Sequence, residues 1–360
     1  MPTPSNDSVI AAMSGGVDSS VAAALLKRSG RNVIGVTMSV WEGGAASGSC
    51  CSMDDASDAR RVAERLGIPH YVVNAKERFR EKVVNYFTGA YLAGRTPNPC
   101  VVCNQSLKFD YLFELGRTLG AARVATGHYA RLGEWNRRPA IMRAIGREKD
   151  QSYFLFAVNP ERLGNVIFPL GGMAKSQTRE LARELGLPVA EKPDSQEVCF
   201  VPDGDYKSFV RAQSGGQVPP EGDIITRAGE VLGRHRGLMD FTIGQRRGLG
   251  LSAPEPLYVT DVRPDTNQVV VGAREELYGR ALLASCVNWL IPAPEALALP
   301  LTARVRHRHP DAPARVTALS GDRAEVVFEE PQLSLTPGQA VVFYHGEYLA
   351  GGGWIERRLD

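Results

Sequence analysis

Apolar positions along the first half of the chain switch repeatedly between two spacings, and the spacings predict alternating strands and helices. "SVIAAM" is a short apolar run of the kind a buried strand makes, and "VDSSVAAALLKRSG" follows it as a helix closed by Gly30. "NVIGVTM" predicts a second strand. "DDASDARRVAERLG" places Ala59, Val62, Ala63 and Leu66 on one helical face, and "PHYVVN" predicts a third strand. "FDYLFELGRTLG" reads as a helix, and "ARVATGHYA" holds a strand. "SQTRELARELGLPVAEKPDS" adds a helix begun by a Ser or Thr cap and stopped at Gly186. This order predicts an α/β fold, with a doubly wound parallel sheet and helices on both faces.

From about residue 205 the pattern changes. Short β-like runs, "LYVTDV", "NQVVVG", "RAEVVFEE" and "QAVVFYHGEYLAGGGWIE", are separated by Gly and Pro. The organisation expected is a nucleotide-type α/β domain over residues 1–205, a small central mixed domain over 206–274 and a C-terminal β-barrel over 275–360. "GQVPPEGD" and "PAPEALALP" are the candidate linkers.

Composition narrows this little. Of 360 residues, 43% are hydrophobic and 23% charged, as in an ordinary globular chain. Basic and acidic residues number 42 and 40, a net charge of +2, so the chain as a whole does not advertise a polyanionic partner. Basic residues do cluster locally, at Arg137, Arg138, Arg143, Arg147 and Lys149, at Arg234–Arg236, and at Arg304, Arg306, His307, Arg308 and His309. A basic face for an anionic partner, set against solvated loops, is one reading of them. The first residues carry no signal-peptide pattern, and no charge-free apolar stretch of about 20 residues exists to span a membrane, which points to the cytosol. There, the six cysteines are expected to be reduced thiols, metal ligands or catalysts.

"SGGVDSS", Ser14 to Ser20, lies between the first predicted strand and helix. Gly15 and Gly16 open backbone conformations closed to other residues, and the exposed N–H groups with the helix N-terminus form an anion site. Ser14, Ser19 and Ser20 add hydroxyls. Asp18 suits a phosphate loop if a cation such as Mg²⁺ bridges it to the phosphates. The Gly-Lys-Ser/Thr ending of a Walker loop is missing. The string instead resembles the pyrophosphate-loop motif of ATP pyrophosphatases, which implies ATP as substrate and its cleavage to AMP and pyrophosphate.

"GVTMSVW", "GRTPNPCVVCNQSLKFD", "VATGHYAR", "KDQSYFL", "PDSQEVCFVPDGDY" and "FTIGQRRGLG" together resemble the tRNA-specific 2-thiouridylases over nearly the whole chain. The resemblance implies ATP-dependent replacement of the C2 oxygen of the wobble uridine (U34) by sulfur in tRNAs for Lys, Glu and Gln. It implies an ATP site at Ala12, Met13, Ser14, Gly15, Gly16, Val17, Asp18 and Ser19, with Met38 against the adenine and Gly127 near the nucleotide. It makes Cys103 the nucleophile and Cys199 the carrier of a persulfide received from a sulfur-carrier protein, the pair closing to a disulfide. Asn98, Pro99 and Cys100 would border the flipped base, and His128, Lys149, Asp150, Gln151, Arg306, His307 and Gln339 would contact tRNA. The family suggests a monomer.

"NPCVVCN" departs from the family pattern, because many members carry an acidic residue where this chain has Cys100. The Cys-x-x-Cys has no second pair to complete a zinc site. Cys100, Cys103 and Cys199 could ligate a [4Fe–4S] cluster, or Cys103 and Cys199 could act as thiols with Cys100 a neighbour. Cys286 is expected in a core, Cys50 and Cys51 in a loop, and Trp41 and Trp135 in packing. Two other functions stand beside thiolation. A small-metabolite ligase or amidotransferase would need neither Cys103 nor Cys199, and an RNA-binding protein with a vestigial nucleotide site would not need an intact "SGGVDSS".

Overall fold

The computed structural model describes residues 5–41, 53–194, 198–216 and 220–360. Cys50 and Cys51 lie outside the described residues. The chain begins β1 (Ser5–Ala12), α1 (Val17–Arg28), β2 (Asn32–Ser39), α2 (Met53–Leu66), β3 (His70–Asn74), α3 (Lys76–Phe79), α4 (Asn85–Leu92), α5 (Pro99–Cys103) and α6 (Leu112–Leu119). It continues with β4 (Ala121–Ala125), β5 (Ala130–Trp135), β6 (Arg138–Arg143), β7 (Val166–Ile167) and α7 (Lys175–Glu184). Two compact units form: Met1–Val83 with Cys100–Gly204 and Glu347–Leu349, and Val84–Pro99 with Asp205–Gly346 and Ala350–Asp360.

The first unit is built on a parallel sheet of order β3-β2-β1-β4-β7. Central β1 is apolar on both sides, as a strand covered on both faces must be. Val9 and Ala11 point to the cluster containing Val17, Val21, Val62 and Ala63, while Ile10 points to Val36, Leu112 and Val124. Each fully buried aliphatic side chain of this kind contributes about 1.5–3 kcal/mol. The chain leaves β1 for β2 on one side and later returns to pair β4 on the other. Strand order therefore reverses between β1 and β4, and ligands of open α/β sheets bind beyond the strand ends at such a point.

Two local features differ from the sequence pattern. The helix α7 is capped by Ala174, not by Ser or Thr; the Gln177 Oε1 accepts the Ala174 N–H at 2.8 Å, and Thr178 lies inside the helix. A hairpin, β5–β6, interrupts the α/β alternation, its two-residue turn made by Asn136 and Arg137 at positive φ.

In the second unit, α8 (Tyr206–Gln213) precedes a mixed sheet of β8 (Gly222–Thr226), β9 (Val231–His235), β10 (Tyr258–Arg263) and β11 (Gln268–Gly272), in the order β10-β11-β8-β9. Then β12 (Tyr278–Trp289), α9 (Ala293–Leu297), β13 (Leu301–Arg304), β14 (Ala312–Ala318), β15 (Ala324–Leu333), β16 (Ala340–His345) and β17 (Tyr348–Arg358) follow. The six strands run β12-β15-β14-β13-β16-β17 and close through β12–β17 pairing into a barrel, as expected. "PAPEALALP" is not a linker, because it carries α9 between two barrel strands. "GQVPPEGD" lies partly outside the described residues. Cys286 is not in the core: it is exposed, at φ +49°, where the β12–β17 register shifts. The segment Val84–Pro99 packs in this unit through Phe87 on Phe209 and Tyr91 stacked on Tyr206 at 4.5 Å. No helix among the described residues is long and apolar enough to cross a membrane.

Candidate active site

The loop between β1 and α1 is shaped by its own hydrogen bonds. Met13 N–H donates to Val36 O at 2.8 Å, and the Thr37 hydroxyl donates to Met13 O at 2.7 Å, which ties the loop entrance to β2. Ser14 N–H donates to Ser19 Oγ at 3.1 Å, and the Ser19 and Ser20 hydroxyls reach back to Gly16 O at 3.1 and 2.8 Å. Ser20 is fully buried, so its hydroxyl serves the helix start and offers nothing to a ligand. Gly15 takes φ +73°, and a Cβ there would overlap the Asp55 carbonyl at the start of α2. Gly127, beyond β4, faces the first turn of α1, where a Cβ would lie 2.8 Å from Ser19 N. Two of the expected nucleotide-site segments, the glycine loop and Gly127, thus meet at the reversal between β1 and β4. Ala12 ends β1, Val17 is buried at the start of α1, and Met38 lies near the end of β2, packed on the β1–β4 cluster.

Asp18 is the centre of a network that the motifs did not foretell. Lys175 Nζ lies 2.8 Å from each Asp18 oxygen, and the Tyr129 hydroxyl donates to Oδ1 at 2.8 Å. Burial holds the Tyr129 pKa far above its usual value, so the hydroxyl remains a donor. Gln151 grips Tyr129 on both sides: its Oε1 accepts Tyr129 N–H at 2.9 Å, and its own N–H donates to Tyr129 O at 2.8 Å. Lys175 also pairs with Asp194 at 2.8 Å, and Lys192 Nζ reaches Gly15 O at 3.1 Å while pairing with Asp55 and Asp58. One sequence signal could have found Lys175. A lysine at the first position of a helix opposes the helix dipole, so another charge must hold it there.

Cys103 ends α5, with Cys100 three residues earlier on the same helical face. The helix continues in wider π-helical turns over Asn104–Tyr111, a geometry that recurs at functional sites. Asn104 is anchored through Nδ2 to Phe154 O at 3.1 Å. Cys103 and Cys199 are half-buried thiols of the first unit, and Cys100 is exposed. Among the described residues, no three His, Cys, Asp or Glu side chains gather as a metal-binding set. The thiols of Cys100, Cys103 and Cys199 therefore do not present the three-ligand arrangement an iron–sulfur cluster or a zinc ion requires.

The residues matched to tRNA contacts divide. His128 is enclosed between Phe109 and Phe168, its Nδ1 2.7 Å from the Thr126 hydroxyl, and burial first, then Lys108, holds its pKa well below the usual histidine value. Asp150 is buried and accepts from Ala144 N–H and the Ser152 hydroxyl at 2.9 Å each. Lys149 faces Asp194 at 3.2 Å. In the second unit, Asn98 and Pro99 are buried. Gln339 Nε2 donates to Thr96 O at 3.0 Å and Pro97 O at 3.2 Å, so it shapes the "TPNP" turn. Arg306 donates to Leu333 O at 3.0 Å, and half-buried His307 lies in the same turn, where its carbonyl accepts from Arg304 at 3.4 Å. Several members of the basic clusters are paired in place: Arg147 with Glu347, buried Arg143 3.9 Å from Asp150, and Arg304 with Asp311 at 2.7 Å. The expectation of packing is met for Trp135, which stands edge-on to Tyr348.

Comparison with known proteins agrees with this architecture part by part. Residues 7–203 match the family described as "tRNA methyl transferase HUP domain". Residues 207–273 match a "tRNA methyl transferase PRC-barrel domain", and residues 279–355 an "Aminomethyltransferase beta-barrel domain". The "tRNA-specific 2-thiouridylase MnmA" of Geotalea uraniireducens is 51% identical, over 98% of this chain and 96% of its own. The proteins of the same name from Geobacter metallireducens (50%, over 98% of this chain and 97% of its own) and Solibacter usitatus (49%, over 97% and 99%) are similar. The domain descriptions speak of methyl transfer, but near-half identity over the full length is the more specific finding. The chain belongs to the family of tRNA-specific 2-thiouridylases.

Proposed function

We propose that this enzyme replaces the C2 oxygen of the wobble uridine of tRNA with sulfur in two stages, adenylation by ATP and transfer from a cysteine persulfide. The observation that carries the reading is the Asp18–Lys175–Tyr129 network on a glycine loop at the strand-order reversal, in the same unit as Cys103 and Cys199.

The loop N–H groups and the α1 N-terminus suit the phosphates of ATP. Lys175 supplies positive charge where pyrophosphate develops negative charge. Mg²⁺, when bound, would add charge neutralisation, and Asp18 is the carboxylate proposed to help hold it, in exchange for its contact with Lys175. The uridine O2 attacks the α-phosphorus and pyrophosphate leaves, which turns a poor leaving group into AMP. The terminal sulfur of a Cys199 persulfide then bonds to C2 and AMP departs. Cys103 thiolate attacks the Cys199 sulfur, the S–S bond to the transferred sulfur breaks, and 2-thiouridine is released. If Cys103 instead frees the sulfur first as hydrosulfide, which then attacks C2, the products are the same. Either order leaves a Cys103–Cys199 disulfide that a thiol reductant must reopen, and it requires their Cα atoms to approach within about 7 Å.

The wobble base lies in a single-stranded loop, so flipping it out is inexpensive, and the "TPNP" turn fixed by Gln339 is the surface proposed to border it. Arg306 and His307 remain proposed tRNA contacts. Enclosed His128 and Asp150 are better read as supports, and Gln151 as the support of Tyr129. The sulfur donor is a persulfide carrier, and the acceptors are tRNAs for Lys, Glu and Gln. The thiol route needs no iron, so activity should survive iron removal.

Pyrophosphate release tests the first stage. With ATP, Mg²⁺ and unmodified tRNA, release should depend on tRNA and disappear in Asp18→Asn. Release that needs only a small metabolite would favour a ligase instead.

A further inference from the structure

Cys100 is the thiol of "NPCVVCN" that the proposed reaction leaves without a task. It is exposed, while Cys103 and Cys199 are half-buried, and all three belong to the first unit. Cys100 shares the five-residue helix α5 with Cys103, three positions apart on the same face. Side chains so placed have Cβ atoms about 5–6 Å apart. A disulfide needs about 3.5–4.5 Å, so a closure of about 1–2 Å within one helical turn joins the two. The α-helical pattern ends at Cys103, where the wider turns over Asn104–Tyr111 begin, so that adjustment falls where the helix is already irregular. Among the described residues the three thiols do not gather as a metal-binding set. Thiol–disulfide exchange does not ask them to converge on one point; it asks for an attacking, a central and a leaving sulfur in line.

We infer that Cys100 is the resolving thiol of the cycle, whose thiolate attacks the Cys103 sulfur of the Cys103–Cys199 disulfide. The Cys100–Cys103 bond forms, the Cys103–Cys199 bond breaks, and Cys199 leaves as a thiolate that water protonates. The disulfide has moved and nothing has yet been reduced. A dithiol reductant then attacks the exposed Cys100 sulfur and Cys103 leaves as a thiol. The second thiol of the reductant closes its own disulfide and frees Cys100. Two electrons and two protons have passed from the dithiol to the pair. The inference rests on the proposed persulfide route, because that route makes the disulfide that Cys100 opens. Exposure gives the step its use. The reductant meets an outer sulfur in place of a half-buried pair, and Cys199 is a thiol again, ready for the next persulfide, before the reductant arrives. The acidic residue of the family pattern has no sulfur to offer at this position.

The test is one turnover of the full chain with ATP, Mg²⁺ and unmodified tRNA, with Cys199 preloaded as persulfide, the donor removed and no reductant present. Acid quenching, alkylation of the remaining thiols and peptide mass spectrometry then read which cysteines are linked. In the wild type the link should join Cys100 to Cys103 and leave Cys199 alkylated; in Cys100→Ser it should join Cys103 to Cys199. With a dithiol reductant and saturating tRNA, the ratio of steady-state to first-turnover rate should fall about tenfold or more in Cys100→Ser and Cys100→Asp, because a tethered thiol outcompetes a dilute one. That ratio does not move if Cys100 only helps to hold the base. A wild-type link between Cys103 and Cys199 with Cys100 alkylated overturns the inference while leaving the persulfide route standing, and it needs no variant to fold. An unchanged ratio in both variants overturns it as well. No 2-thiouridine, or 2-thiouridine without any disulfide, removes the persulfide route and the inference with it.

Discussion

Gly15 combines a left-handed backbone with a close approach to the Asp55 carbonyl, and either alone would exclude a larger residue. Gly15→Ala should cost about 1–2 kcal/mol from handedness before the clash is added. Calorimetry should show a lowered Tm and lost ATP binding; normal binding would mean that the loop is not the nucleotide site. His128 makes a prediction about pH. It stays neutral when folded and takes a proton when unfolded below about pH 6.5, so the folded state binds fewer protons. Its contribution is intact above that value and is lost as pH falls from about 6.5 toward the depressed folded pKa, by up to about 1.4 kcal/mol per pH unit. Urea unfolding at pH 7 and pH 5 should show a larger loss for wild type than for His128→Phe, and equal losses would remove His128 from the account. Glycine motifs and cysteines were legible in the sequence because their chemistry is local. Lys175, Tyr129 and Lys192 were not, since each acts through a partner more than a hundred residues away.

Elements show the same division. Strands and helices of the α/β unit follow apolar spacing closely, because a strand buried on both faces and a helix buried on one leave unambiguous patterns. Cap chemistry was less legible: Gln177 replaces the expected Ser or Thr by reaching back to the Ala174 N–H. Cys286 misled because an apolar run surrounds it, while a register shift turns that one residue outward. The "TPNP" turn is held by Gln339, whose two donations join segments 242 and 243 residues apart. Gln339→Ala should lower stability by about 1–3 kcal/mol, at roughly 0.5–1.5 kcal/mol for each net hydrogen bond. It should raise KM for tRNA and leave ATP affinity unchanged. An unchanged KM would separate this turn from substrate binding.

At the scale of the molecule, the sequence order of parts is not their order in space. Residues 84–99 leave the α/β unit to pack with the unit that holds the central sheet and the barrel, then return at Cys100 into the helix carrying Cys103. Apolar spacing cannot reveal this, because it reports that a face is buried and not against what. The proposed division of labour places ATP and sulfur chemistry in the first unit and substrate-bordering surfaces in both. Its central claim is that thiolation requires ATP and both Cys103 and Cys199. The most direct measurement is mass-spectrometric quantification of 2-thiouridine in unmodified tRNA incubated with the enzyme, ATP, Mg²⁺, a persulfide donor and a thiol reductant. The account predicts product at the wobble position for the wild type, and none without ATP or with Cys103→Ser or Cys199→Ser, while both variants still release pyrophosphate. Undiminished 2-thiouridine from either serine variant would contradict it.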